Sequence, residues 1–261
     1  MMIERILAPN PSIYTGPGTN TYLIEHAGEA LILDPGPVNE SHRQAIHLAL
    51  TDHTPVGVVA THTHPDHAPL SNPLAAELDI QVFGFAIGPD FKPDVFLADS
   101  DAVPVGDTGI VAVHTPGHTA DHLCFVLDDV LFTGDHIMEG STVIMEDAAA
   151  YLDSLYAVRE LGVGRIEPGH GAALDEAGSV IDGYIEHRLL RERQIVDAVG
   201  AGAATVDDVV DSVYATIPEA LRPAASHQVR VQLDKLVGDG SVVVGDRGLF
   251  RATAAGKDPG N

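Results

Sequence analysis

The sequence contains a single cysteine, Cys124, among 261 residues. An intrachain disulfide is therefore excluded, and scarce cysteine is typical of a reducing compartment, so we predict a cytoplasmic protein. No stretch approaches the ~18 consecutive apolar residues of a membrane-spanning helix, so no membrane association is expected. The first ten residues lack a continuous apolar segment, which predicts no secretory signal peptide.

Positive charge is also scarce. The chain has 14 Lys and Arg residues against 38 Asp and Glu, a formal net charge of −24. Residues 1–183 hold 27 of the acidic residues and only 5 of the basic ones. This charge repels polyanions and argues against broad nucleic-acid binding by that region. The G-x-S-x-G and P-loop motifs are absent, so serine-hydrolase and nucleotide-hydrolase functions have no support.

Apolar segments of strand length alternate with helical patterns over the first 170 residues. Strands are predicted at 21–24, 30–33, 56–60, 110–114, 123–127, 130–132 and 165–167, helices at 41–50, 70–78 and 148–161, and a loop at 84–101. The two halves of this region share one style, strands followed by a helix. That repetition indicates an internal αββα pseudo-duplication, which predicts an α/β fold, a four-layered αββα sandwich, over residues 1–183.

Residues 184–261 are predicted to form a small C-terminal winged-helix-like domain. Its predicted elements are helices at 180–198, after the N-cap Thr205 and at 226–237, and a hairpin of 242–244 with 249–251. Arg188, Arg191 and Arg193 are interpreted as a solvated helix face. Residues 255–261 are expected to be disordered.

Histidine and aspartate cluster directly after the strand predicted at 56–60. His62, His64, Asp66 and His67 lie within six residues. A divalent cation needs several convergent lone pairs, which imidazole and carboxylate groups supply. No ordinary packing requirement places four such residues together, so the cluster predicts a metal site.

Three further candidates each lie beside a glycine, just past a predicted strand. They are His118, Asp135 and His170. With the first cluster they predict two neighbouring sites, one bound by His62, His64 and His118, the other by Asp66, His67 and His170, with Asp135 as the bridge.

The order His-x-His-x-Asp-His, Gly-His, Gly-Asp and a late Gly-His resembles the metallo-β-lactamase superfamily over about residues 10–171. The segments 20–23 and 31–36 also look like the family's opening strands, and the resemblance implies that Asp34 supports the metal loop from behind. The winged-helix-like part makes the chain similar to the β-lactamase-like type 2 branch, which includes a single-strand endoribonuclease.

Several drug-hydrolysing members of the family use a cysteine as a metal ligand. The corresponding position here is Asp135, and Cys124 lies in an apolar strand. β-Lactam hydrolysis is therefore not expected.

The resemblance implies a dinuclear metal-dependent hydrolase with residues 1–183 as its catalytic domain. A hydroxide bridging two divalent cations would attack an ester, thioester, amide or lactone bond of a small molecule. The histidine-rich donor set favours zinc, with iron and manganese as alternatives. Asp66 would also be catalytic, by orienting the nucleophile or taking its proton.

Other positions are assigned from their proximity to these residues. Tyr14, Ser141 and Thr142 are predicted to contact substrate, and His122 and His136 are candidates to support metal-binding side chains. A homodimer is a further expectation. Two alternative functions stay open, an endoribonuclease acting on single-stranded RNA and a non-catalytic metal-containing interaction module.

Overall fold

The computed structural model describes residues 1–140 and 143–253, and two six-stranded sheets form its centre. The first sheet has the order β1-β2-β3-β4-β5-β6. Its strands are β1 (Met2–Leu7), β2 (Asn20–His26), β3 (Glu29–Leu33), β4 (Thr54–Val59), β5 (Gln81–Gly84) and β6 (Val95–Phe96). The pairs β1–β2 and β2–β3 are antiparallel, and the pairs from β3 to β6 are parallel.

The second sheet has the order β12-β11-β10-β9-β8-β7. Its strands are β7 (Ala102–Val105), β8 (Thr108–His114), β9 (Leu123–Leu127), β10 (Val130–Gly134), β11 (Arg165–Pro168) and β12 (Leu174–Asp175). Only β10 and β11 pair in parallel; the other pairs are antiparallel. Each half of the region therefore builds one sheet.

Alternating side chains of β2 show how the layers are held. Ile24 packs between the two sheets with residues such as Phe125 and Phe132. Leu23, its neighbour, points to the opposite face and packs against the helices α1 (Glu40–Ala49) and α2 (Ser71–Leu78). The helices α3 (Ala148–Glu160) and α4 (Ala177–Gly200) cover the outer face of the second sheet. The predicted four-layered αββα architecture is confirmed.

The C-terminal part contains α5 (Val206–Val213), α6 (Arg222–Gly238), β13 (Val242–Val244) and β14 (Phe250–Ala252). Thr205 caps α5 through a capping box with Asp208, because each side chain accepts the other's backbone N–H. The two strands pair as the predicted antiparallel hairpin. Residues 255–261, predicted to be disordered, lie outside the described ranges. Within those ranges no helix has the length and apolarity needed to cross a bilayer.

Two local predictions need correction. The segment 84–101, predicted as loop, contains the two-residue strand β6, which extends the first sheet by pairing with β5. Arg188 is not part of a solvated helix face, since only 4% of the residue is exposed. The helical spacing of the arginines does not reveal that the segment around Val143 covers this side of α4.

Helix α4 joins the two cores. Ile181 and Ile185 pack into the core of the second sheet, whereas Ile195 and Val199 pack into the core of the C-terminal part. The predicted domain boundary between residues 183 and 184 thus lies inside a continuous helix, and it stays a prediction.

Helix α6 returns to the sandwich. Val231 is buried in the same core as Ile181, and Gln228 Nε2 donates to the Met145 carbonyl (3.1 Å). Val229 and Leu233, on other sides of α6, belong to the core of the C-terminal part. The two parts therefore share a packed and hydrogen-bonded contact.

This shared contact predicts coupled unfolding. The substitution Val231→Ala should lower the free energy of unfolding of the whole chain by about 1–2 kcal/mol, because it removes buried methyl groups and leaves a cavity. Urea unfolding followed by circular dichroism measures this effect. Val243→Ala, on the 44% exposed Val243 of the hairpin, is the matched control and should leave the midpoint unchanged. A separate transition for the C-terminal part alone would contradict the prediction.

Candidate metal centre

The predicted metal-binding side chains meet where strands from both sheets end. His62, His64, Asp66 and His67 follow β4 of the first sheet. His118 follows β8, Asp135 follows β10 directly and His170 follows β11, all in the second sheet. Packing the sheets face to face therefore brings all seven side chains into one cluster.

One donor set consists of His62, His64, His118 and Asp135, whose candidate ligand atoms all lie within 4.8 Å of one another. His64 Nδ1 lies 2.8 Å from His62 Nε2 and 3.1 Å from His118 Nε2. Three ring nitrogens facing one point at these separations suit a shared cation.

A second donor set consists of Asp66, His67, Asp135 and His170, again within 4.8 Å. The Nε2 atoms of His67 and His170 are 3.3 Å apart. Asp66 Oδ2 lies 3.2 Å from His170 Nε2 and 3.7 Å from His67 Nε2. This set is richer in carboxylate oxygens than the first.

Asp135 belongs to both sets and faces each with a different oxygen. Its Oδ1 lies 3.2 Å from the Nε2 atoms of both His67 and His170. Its Oδ2 lies 3.6 Å from His118 Nε2. A carboxylate placed in this way can bridge two cations. The structure thus brings together the predicted residues in the predicted groups, and their role as ligands stays a prediction.

Hydrogen bonds on the outer ring nitrogens test whether the site fits a metal. The Nδ1 atoms of three histidines donate to oxygens: His67 to Asp34 Oδ2 (2.8 Å), His118 to the Ile144 carbonyl (2.7 Å) and His170 to the Gly18 carbonyl (3.1 Å). Because Nδ1 donates the proton, the Nε2 atom of each ring is the one that faces the cluster, and its lone pair is available to a cation when the ring is neutral. This donor arrangement fits divalent cations.

Thr61 supports His62 in the same way. The Thr61 hydroxyl donates to Asp34 Oδ2 (2.8 Å), so its oxygen can accept the proton of His62 Nδ1 (3.0 Å). Asp34 also accepts the Thr61 backbone N–H at Oδ1 (2.7 Å). The predicted supporting position of Asp34 agrees with this geometry.

The electrostatics of the cluster favour a cation. Burial raises the pKa of Asp135, but the charges of His67, His170 and His118 and a hydrogen bond from His67 outweigh it and hold that pKa well below its usual range. Burial opposes a charge on His67, yet Asp135 and Asp34 raise its pKa. Burial lowers the pKa of His62. The two aspartates therefore attract positive charge, whereas His62 stays neutral.

His122 supports Asp135. Its Nε2 accepts the Asp135 backbone N–H (3.2 Å), and its Nδ1 donates to the Thr115 hydroxyl (2.9 Å). Gly134, in the left-handed region at φ +46°, permits this approach, since a Cβ there would lie 2.8 Å from His122 Nε2. The ring of His136 instead packs on Tyr151, with 4.8 Å between centroids. Of the two candidate supporting histidines, His122 is the one seen bonded to Asp135.

The predicted substrate contacts of Tyr14, Ser141 and Thr142 stay predictions. Tyr14 is 59% exposed on the loop between β1 and β2, and Gly18 of that loop accepts the His170 hydrogen bond. Ser141 and Thr142 lie outside the described residues.

Cys124 is fully buried, and burial raises the pKa of its thiol to about 12, as expected of a core residue rather than a metal ligand.

Comparisons with known proteins agree with this architecture. Residues 14–170 match the Metallo-beta-lactamase superfamily, and residues 205–250 match the Beta-lactamase associated winged helix domain. The Beta-lactamase-like protein 2 homolog of Caenorhabditis elegans is 34% identical over 252 residues, 92% of this chain and 85% of that protein. An Atrochrysone carboxyl ACP thioesterase of Aspergillus chevalieri is 32% identical over 255 residues, 92% of this chain and 82% of that protein. The crystal structure of a metallo-beta-lactamase family protein from Thermus thermophilus has a TM-score of 0.78 at 19% identity, and the match covers 96% of this chain and 98% of that one.

The two sheets and the shared carboxylate define an α/β protein with a site able to hold divalent cations. The chain belongs to the metallo-β-lactamase superfamily, with a hydrolase-like function and the associated winged helix at its C-terminal end. The predicted family, its similarity to beta-lactamase-like protein 2 and the winged-helix-like domain are confirmed.

The role of Thr61 generates a prediction about metal affinity. Thr61→Val keeps the shape of the side chain but removes the hydroxyl that joins Asp34 to His62. We therefore expect a ~10–100-fold weaker affinity for a cation bound by the first donor set, which contains His62. Competition with a chromogenic chelator measures that affinity. Thr51→Val is the matched control, because the Thr51 hydroxyl donates to the Leu48 carbonyl at an exposed position. Equal affinities in both variants would show that Thr61 does not orient the ligand.

Proposed function

We propose that the protein is a dinuclear metal-dependent hydrolase of a small molecule, with an ester, thioester, amide or lactone as the scissile bond. The observation that carries this proposal is the pair of donor sets joined by Asp135. A structural zinc site is normally closed and has four protein ligands, whereas here one carboxylate belongs to two sets. This difference argues against a non-catalytic interaction module.

We propose zinc as the metal in both sites. The first set offers three imidazoles and one carboxylate, and the second offers two of each. Such nitrogen-rich donor sets suit zinc, and iron and manganese are the alternatives. Two divalent cations, when bound, lower the pKa of a shared water and polarise the bond to be cleaved.

Asp66 is the proposed catalytic residue. Its side chain is 25% exposed, whereas that of His67 is fully buried, so Asp66 can be reached by water and substrate. Burial raises the pKa of Asp66, but the hydrogen bond with His170 and the charge of His67 lower it overall, which keeps the carboxylate ionised. An ionised carboxylate at this position can orient the attacking water and accept its proton.

Among the candidate bonds, we propose a thioester. The relative from Aspergillus chevalieri is named an acyl-carrier-protein thioesterase, and its match to this chain spans both domains. The acidic catalytic domain is compatible with a small substrate, because long-range repulsion acts most strongly on highly charged polymers.

RNA hydrolysis is the weaker alternative. Lys235 on α6 forms ion pairs with Glu192 and Asp239, and Arg222 at the start of that helix pairs with Asp211. Phosphate binding depends on free cationic side chains, so these pairs reduce the affinity that this helix could offer.

Hydrolysis of a chromogenic acyl thioester tests the proposal. The metal-loaded protein should turn over the thioester, a chelator should abolish turnover, and added zinc should restore it. Asp135→Ala should lose metal and all turnover because it removes the bridge. Circular dichroism must show an intact fold in this variant. Full turnover by Asp135→Ala would contradict the dinuclear mechanism.

Asp66→Asn separates catalysis from binding of the first metal. We expect a ~10²–10⁴-fold fall in kcat, because the amide cannot accept the proton, together with weaker binding of the second cation. The first cation should remain bound. A kcat equal to that of the parent would contradict the catalytic role of Asp66.

Labelled single-stranded RNA serves as a parallel substrate, and its cleavage by the parent but not by Asp135→Ala would favour the nuclease alternative.

A further inference from the structure

A cavity of about 390 Å³ lies between α4 and the loop that follows Asp135. Met138 and Gly140 line it from the loop, and Tyr184, His187 and Arg188 line it from the helix. The Tyr184 hydroxyl accepts the Met138 N–H (3.0 Å) and donates to the Met138 carbonyl (2.6 Å), which fixes this loop against α4.

Arg188 is the only strongly basic side chain among the described residues that line this cavity. The residue is 4% exposed. Its Nη2 donates to the Val143 carbonyl (3.0 Å), and its guanidinium carbon lies 4.8 Å from the centroid of the Tyr151 ring. Its Nε is buried and makes no hydrogen bond within the described ranges.

Arg188 also has no carboxylate partner among the residues that the structure describes. Other arginines do: Arg43 pairs with Glu40 and Glu77, and Arg159 pairs with Asp182, although these side chains are far more exposed. Glu139, which lies between the cavity residues Met138 and Gly140, accepts the Ala172 N–H (2.8 Å). Within the described part of the chain, the buried guanidinium therefore has no carboxylate to offset its charge.

An uncompensated buried charge lowers stability unless something binds to it. A carbonyl and an aromatic face offset part of the lost hydration, but neither carries the negative charge that a guanidinium pairs with best. Planar oxyanions match its donors in a bidentate arrangement. The cavity supplies space for such a group beside Arg188, one of its lining residues.

We propose that this cavity binds an oxyanion group of the substrate, a carboxylate or a phosphate, through Arg188. The proposal rests on the proposed hydrolase function, because it places the remote end of the substrate here while the scissile bond lies at the metal centre. Met138 is three residues from Asp135, so the cavity and the bridging carboxylate share one loop. Arg188 thus determines specificity and is not a catalytic residue.

Binding of small anions by the metal-loaded protein tests the proposal. Glutarate or methyl phosphate should raise the Tm of the parent, and Arg188→Met should weaken the binding of the effective anion about tenfold or more. Arg191→Met is the matched control, since Arg191 lies on the same helix and stacks on Tyr214 at 4.5 Å without lining the cavity. It should bind like the parent. The anion that stabilises the parent identifies the carboxylate or the phosphate as the group recognised.

Stability separates a binding role from a structural one. Without anion, Arg188→Met should unfold at the same Tm as the parent or higher, because it removes an unpaired buried charge. Arg188→Lys keeps the charge and should bind the anion with intermediate affinity, which keeps the test valid if the methionine variant does not fold. Unchanged anion affinity in either folded variant, or no stabilisation of the parent by either anion, would overturn the proposal.

Kinetics distinguish this proposal from the proposed function. The parent should prefer a glutaryl thioester to the uncharged pentanoyl thioester if the carboxylate is the group recognised, and Arg188→Met should lose that preference through KM with little change in kcat for the pentanoyl substrate. Failure to hydrolyse any thioester would contradict the proposed bond type, whereas the anion-binding result would still decide the role of Arg188.

Discussion

The carboxylate of Asp34 is the constraint on which the metal loop depends. It lies at the end of β3, in the left-handed region at φ +49°, and only 2% of the residue is exposed. It accepts the Thr61 N–H and hydroxyl and the His67 ring proton. A buried carboxylate is costly without such donors, so the loop after β4 is stable only in a conformation that supplies all three. The same contacts orient His62 and His67, which belong to different donor sets.

The second sheet contributes a comparable constraint at Asp135. His122 accepts the backbone N–H of Asp135, and Gly134 lets the His122 ring approach the backbone closely. The carboxylate is thereby fixed with one oxygen toward each donor set. A further contact fixes the cavity proposed to bind substrate, because Tyr184 of α4 hydrogen-bonds Met138 in the loop that continues from Asp135. The metal centre, the cavity and the winged helix are therefore linked through one loop and one helix.

Much of this arrangement could be predicted from local patterns. Strands buried on both faces, such as β3 and β9, contain continuous apolar runs. The first four candidate ligands lie close together in sequence, directly after β4. Strand β1 could not be found in this way, because it is an edge strand with Glu4 and Arg5 exposed. The functions of Thr61 and His122 depend on partners distant in sequence, Asp34 and Asp135. Arg188 is buried against the Val143 carbonyl, 45 residues away in sequence, and helical periodicity cannot predict a contact of that kind.

The division of the chain into one sheet per half affects how the protein matures. The first half carries His62, His64, Asp66 and His67, and the second carries His118, Asp135 and His170, so neither half alone completes a donor set. During synthesis, both sites can become complete only after residue 170 has left the ribosome and the sheets have docked. Metal uptake, as proposed for these sites, would then stabilise the docked state over every earlier one, since ligand binding favours the state that contains the full site. Bound metal would thus add stability only at a late stage of folding.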